Sequence, residues 1–166
     1  METELLKKAT EFATMAHKGQ MRWDKSPYIA HPIEVSEIGE RRYIYLFRNQ
    51  YKTAQTDEEI ESVKIVCRGH DIEEDTKYTA KQYIDHLLLN GLEERRAAGI
   101  LEALDRLNKN HYTNYLDFVM GASESLFSRI GKWSDITHNL QNLTKGSMKD
   151  KYLLARYILE KIDESN

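Results

Sequence analysis

Apolar side chains recur along this chain at intervals of three and four, the spacing of a helix face. Leu5, Ala9, Phe12, Ala13 and Ala16 predict an amphipathic helix over residues 3–17, with Gly19 placed to end it. A polar loop from Gln20 to Tyr28 follows. Pro27 and Pro32 each push the preceding residue toward extended backbone, and Pro32 suits the first turn of a second helix. That helix is predicted over about 32–50, through Ile33, Val35, Ile38, Tyr45 and Leu46. Tyr51 to Thr56 reads as a polar connection. Thr56 caps a third helix with Glu58 and Glu59 in its first turn. Ile60, Val63, Val66, Cys67 and His70 share one face of it.

The same period continues to the end. Thr79 is an N-cap for a helix through Tyr83, Leu87 and Leu88 that stops at Asn90-Gly91. Leu92 to about Leu107 forms another, with Ala97, Ile100, Leu101, Leu104 and Leu107 on one side. Tyr112 to Met120 is a shorter helix. Ser123 is the expected cap of a long helix reaching about Leu143, with Leu126, Ile130, Trp133, Thr137 and Leu140 facing inward. A final helix over roughly 149–163 follows Gly146. No segment alternates as a strand does, and no proline occurs after Pro32. The predicted fold is all-α, a single domain over 1–166 of about seven to nine helices.

Composition narrows the class. The net charge of −3 argues against a strongly basic nucleic-acid binder. No apolar run approaches the roughly 20 residues of a membrane span. The N-terminal residues lack the order of a signal peptide, and the single cysteine, Cys67, cannot form an internal disulfide; together these predict a cytoplasmic protein.

Candidate chemistry concentrates at His70-Asp71-Ile72-Glu73-Glu74-Asp75-Thr76. Residues at i, i+3 and i+4 of a helix share a face, so His70 or Asp71 would stand beside Glu74 and Asp75. Two readings remain open on this stretch: a solvated acidic helix end, or a site where a cation relieves carboxylate repulsion. An acidic cluster at the C-terminal end of the third helix opposes the macrodipole, which favours the second. His31 stands where the polar loop meets the second helix, and Asp135 shares a stripe of the long helix with Asn139 and Asn142. His31, His70, Asp71 and Asp135 therefore stand out as metal ligands. Two imidazoles and two carboxylates suit a divalent first-row ion such as Mn²⁺ or Fe²⁺, whereas a closed structural zinc site would favour cysteine.

The order His31 … His70-Asp71 … Asp135 resembles the signature of the HD-domain metal-dependent phosphohydrolases. Ala16-His17-Lys18-Gly19-Gln20-Met21-Arg22, Ser26-Pro27-Tyr28-Ile29-Ala30-His31-Pro32-Ile33-Glu34-Val35, His70 to Thr76, and Lys132-Trp133-Ser134-Asp135-Ile136-Thr137-His138-Asn139-Leu140 are similar to motifs of the RelA/SpoT-type hydrolase domains. The likeness spans roughly residues 5–145 and is closest to the small stand-alone hydrolases of the alarmones (p)ppGpp. It implies a helical bundle of the HD type and Mn²⁺-dependent removal of pyrophosphate from the 3′ position of a nucleotide. It also implies that Glu74 and Asp75 position or deprotonate the attacking water, that Arg22 meets phosphate or base, and that Asn139 meets ribose or phosphate. Lys25 is expected as a further phosphate contact and Trp23 as a platform for a base. Asn142, standing where a threonine is common, joins the substrate-binding set.

Trp23, Arg68 and Ile136 depart from the family pattern, and the connection around 47–58 looks long. These departures are expected around the substrate pocket, where they bear on which nucleotide is used. The other readings are a phosphohydrolase for an adenine alarmone, NADPH or a nucleoside phosphate, and a catalytically silent nucleotide-binding module. Tyr112-Thr113-Asn114-Tyr115 is a candidate pocket border. His17, His86, His111 and His138 read as structural or surface residues.

Overall fold

The structure, a computed structural model, describes residues 2–51 and 56–165. Those residues form eight helices and two isolated helical turns, one of them a 3₁₀ turn at Lys109–His111, with no strand among them. The helices are α1 (Glu4–Ala16), α2 (Ala30–Leu46), α3 (Asp57–Gly69), the single turn α4 (Ile72–Asp75), α5 (Ala80–Leu88), α6 (Glu94–Leu107), α7 (Tyr115–Ser123), α8 (Leu126–Leu140) and α9 (Ser147–Ser165). None is long and apolar enough to cross a membrane. The all-helical architecture agrees with the sequence expectation. The polar connection expected at Tyr51 to Thr56 falls largely on residues 52–55, outside the described residues. Before it, Phe47–Tyr51 continues α2 as a π-helical turn.

Caps account for most boundaries. Thr3, Thr56, Thr79 and Asn114 each accept a hydrogen bond from a backbone N–H in the first turn of the following helix. Thr79 and Gln82 make a full capping box. Two expectations are corrected. The long helix is capped by Ser125, whose hydroxyl accepts from Ser128 N; Ser123 instead donates to the Met120 carbonyl at the end of α7. Tyr112 does not start α7; it precedes the Asn114 cap, and its hydroxyl donates to the Arg106 carbonyl at 3.1 Å.

Helices α2, α3 and α8 pack together at the centre, joined by Val35, Tyr43, Leu46, Val63, Cys67 and Ile130. A larger apolar cluster joins α1, α3, α5, α6 and α7 on one side, including Phe12, Ile65, Tyr83, Ile100 and Leu104. On the other side Val119 and Ile136 meet Ala155 and Leu159 of α9. Of the inward stripe expected on α8, only Ile130 is fully buried; Leu126, Trp133, Thr137 and Leu140 are half-buried. The residues α8 does bury include Ser128, Arg129, Lys132, Ser134 and His138. Apolar period alone misplaces this face because α8 turns polar groups into the molecule.

Each buried polar group has to find a partner. Asp163 of α9 accepts from Arg129 Nε at 2.5 Å and Arg42 Nη2 at 2.7 Å, which ties α9 to α8 and α2. Arg42 also lies over the Trp133 ring, 4.6 Å from its centroid. Asp163→Ala leaves two largely buried guanidiniums without their counter-charge. It is expected to lower stability by about 3–5 kcal/mol, read as a shift in the chemical-denaturation midpoint. An unchanged midpoint would mean that this clamp does not hold α9.

Candidate metal centre and adjoining pocket

The chain breaks at the point where its chemistry concentrates. Helix α3 ends at Gly69, where a Cβ would come within 2.4 Å of the Tyr83 ring, so only glycine lets α5 approach this closely. His70 keeps helical angles, while Asp71 turns to φ −118°, ψ 3°. The acids that follow therefore begin a separate turn and do not close α3, contrary to the expected helix end. Glu73 faces away and accepts from Ala80 N at the start of α5.

His31, in the first turn of α2, is 3% exposed. One donor atom each from His31, His70 and Asp71 lies within 4.8 Å of the others. Asp135 approaches both imidazoles: its Oδ1 is 3.4 Å from His31 Nε2 and 3.7 Å from His70 Nε2. The fold thus brings together His31, His70, Asp71 and Asp135 from α2, α8 and the α3–α4 corner. His70 Nδ1 is 2.7 Å from the Cys67 carbonyl oxygen. A carbonyl can only accept, so Nδ1 carries a hydrogen, and Nε2 is the nitrogen that faces the centre.

These donors fit a divalent cation. Asp71 Oδ1 is buried and makes no hydrogen bond. His17 Nε2 stands 3.2 Å from it without hydrogen-bond geometry. Asp71 Oδ2 accepts from the Tyr28 hydroxyl at 2.7 Å. Burial opposes every charge here, yet the charges prevail in the carboxylates. Asp71 is held below its usual range by the imidazoles of His70, His17 and His31. Asp135 is held well below by Lys132, whose Nζ is 3.0 Å away, and by His70. Burial lowers His31, whereas Asp71 and Asp135 overcome burial at His70 and push it up to about 9. A cation can take the place of that proton.

The centre opens into a cavity of about 420 Å³. Glu74 and Asp75 line it from α4. Glu74 is paired with Lys109, and Asp75 accepts from the Tyr28 hydroxyl at 3.2 Å. Arg22 and Asn139 line the same wall, with Arg22 Nη2 3.4 Å from Asn139 Oδ1, and Asn139 donates to Asp135 Oδ1 at 2.6 Å. Lys132, Lys109 and Lys151 add positive charge, and Tyr112, Tyr115 and Tyr152 add aromatic surface.

Not every expected residue reaches this cavity. Trp23, 72% exposed, and Asn142 line a neighbouring groove of about 290 Å³ that shares Arg22, Asn139 and Tyr152 with it. Lys25 lines neither; it sits at φ 67° in the turn closed by the Met21–Pro27 bridge. Arg68 and Ile136, expected near the pocket, lie elsewhere. Arg68 is buried against α1, donating to the Leu6 carbonyl at 3.0 Å and to Ser36 Oγ at 3.2 Å. Ile136 packs under α9.

Several residues at the site were not foreseen. His17 stacks on Tyr28 with centroids 4.6 Å apart, and His138 is buried against His31. Both lie inside motifs already singled out, as do Tyr28 and Lys132, so proximity to the ligand positions was the available signal. Lys109, Lys151 and Tyr152 carried no such signal.

A solved structure agrees with this architecture. No family model matches the sequence. Among solved structures, the chain is similar to a metazoan ortholog of SpoT that hydrolyses ppGpp and plays a role in starvation responses. The TM-score is 0.66 at 16% identity, covering 98% of this chain and 87% of that one. The chain shares that protein's fold, a bundle of helices.

An ion bound at this centre must displace the His70 proton. Mn²⁺ affinity is therefore expected to rise with pH from the ordinary imidazole range near 6.5 up to about 9 and then level off. Calorimetric titration across that range checks it; a flat profile would place the ion elsewhere.

Proposed function

We propose that this protein is a metal-dependent phosphohydrolase that removes the 3′-pyrophosphate of ppGpp and pppGpp, giving GDP or GTP and pyrophosphate. The observation that carries the reading is the imidazole–carboxylate centre opening directly onto a cavity lined by Arg22, Lys109, Lys132 and Lys151. A chain with net charge −3 has no general attraction for polyphosphate. Four cations, Arg22, Lys109, Lys132 and Lys151, nevertheless face the cavity beside the carboxylate centre, where a pyrophosphate group would meet them. The fold shared with a ppGpp-hydrolysing protein supports the same reading.

His31, His70, Asp71 and Asp135 would hold the ion, a mixed nitrogen and oxygen set that suits a divalent first-row ion such as Mn²⁺ or Fe²⁺. When bound, a divalent ion lowers the pKa of water and offsets charge at phosphorus. Glu74 and Asp75 sit at the cavity edge, where a carboxylate can take the proton of an attacking water. Water adds to the 3′-linked phosphorus, the bond to the ribose 3′ oxygen breaks, and that oxygen receives a proton. Tyr28 holds Asp71 and Asp75 together, which keeps the proton acceptor beside the ion-binding carboxylate. Arg22, Lys109, Lys132 and Lys151 would neutralise the phosphates, and Asn139 would orient them.

A second reading changes the nucleotide. The indole of Trp23, exposed beside the cavity, offers a stacking surface that does not select one base by hydrogen bonding.

Mn²⁺-loaded protein incubated with ppGpp should release pyrophosphate and GDP. Absence of turnover at high enzyme concentration would sink the proposal, and a stronger rate on adenine alarmones, NADPH or nucleoside phosphates would establish the second reading. Asp71→Ala should abolish turnover with the helical circular dichroism retained. Glu74→Gln and Asp75→Asn should each lower kcat by about 10²–10⁴-fold. Near-normal kcat in both would remove these carboxylates from the chemistry.

A further inference from the structure

Glu34, one turn after His31 on α2, reaches across to His138 on α8, its Oε2 2.9 Å from His138 Nε2. The other ring nitrogen of His138, Nδ1, is 2.8 Å from His31 Nδ1. His31 Nε2 is the nitrogen that faces Asp135 at the centre. The three side chains form a line from solvent to the candidate metal centre: Glu34 is 60% exposed, His138 6% and His31 3%.

Donor and acceptor rules give this line a direction. A carboxylate only accepts, so His138 carries a hydrogen on Nε2. With one hydrogen per ring, His138 Nδ1 then holds a lone pair. Two lone pairs cannot face each other at 2.8 Å, so His31 Nδ1 supplies the hydrogen between the rings. His31 Nε2 is left with the lone pair that a metal ion requires.

We propose that Glu34 is a positioning residue that acts through His138 to hold His31 in its Nδ1–H tautomer, so that Nε2 is presented to a divalent cation. The inference rests on the metal-centre reading above for its purpose, though the tautomer itself does not depend on it. The two histidines are set by different means. His70 is fixed by a backbone carbonyl, which no substitution removes. His31 is fixed by side chains alone, ending in a surface carboxylate.

The test uses Glu34→Ala and Glu34→Lys, both at a position whose side chain is 60% exposed. Lysine can only donate, so it would reverse the line and place the His31 hydrogen on Nε2. In metal-free protein labelled with ¹⁵N at histidine, at pH about 8 so that ordinary imidazoles are neutral, long-range ¹H–¹⁵N spectra report which nitrogen of His31 is protonated. Wild type should show Nδ1–H. The alanine variant should show a mixture, and the lysine variant Nε2–H. His70 Nδ1–H should stay unchanged in all three. Mn²⁺ affinity, followed by the loss of the free-ion electron paramagnetic resonance signal, should fall about 10-fold in the alanine variant and further in the lysine variant. An unchanged His31 tautomer in both variants would overturn the proposal, as would a wild-type His31 protonated on Nε2. If wild type shows the Nδ1–H tautomer yet binds no Mn²⁺, the metal-centre reading fails and takes the role of Glu34 with it.

Discussion

Asp71 and Asp135 are carboxylates withdrawn from water beside the same two imidazoles. Burying one such group without compensation is expensive, and burying two near each other is more so. The surrounding structure consists largely of compensation. His70 gains basicity, Lys132 stands against Asp135, the Tyr28 hydroxyl donates to Asp71, and Asn139 donates to Asp135. Helix α8 buries polar side chains on the face it turns to this centre because that face supplies Lys132 and His138 to it. The apolar clusters on either side provide the stability that such a centre consumes.

That division explains what could be read from residue order. Helix positions follow local rules, so the amphipathic stripes of α1 and α6 and the threonine caps at 56 and 79 were legible. The four candidate ligand positions could be singled out because the motifs around them resemble a known set, and the fold brings them together. Helix α8 was read less well. Its apolar period pointed to Trp133, Thr137 and Leu140, whereas the buried face carries Lys132, Ser134 and His138. Periodicity assumes that burial selects apolar residues, and a buried polar centre breaks that assumption.

Residues contributed from a distance were the least legible. Nothing in the local sequence distinguishes Lys109 from any other loop lysine, yet it pairs with Glu74 at the cavity. Arg68 looked like a pocket residue because it is two positions from His70. A helix rotates its residues by about 100° each, so that short separation turns Arg68 to the opposite side, against α1. Trp23 and Lys25 sit in one short turn, and its geometry decides that the first meets the groove and the second does not.

Helix α9 gives the cavity a history. Its Lys151 and Tyr152 form one wall, and its Asp163 is the anchor that fastens the helix to Arg129 and Arg42. Every residue of the candidate metal centre precedes them in the chain. As the polypeptide is made from its N-terminal end, the charged centre is complete in sequence before the wall of the cavity beside it exists. The charged centre and the cavity beside it are thus supplied in succession, the first by residues up to Asp135 and the second in part by α9.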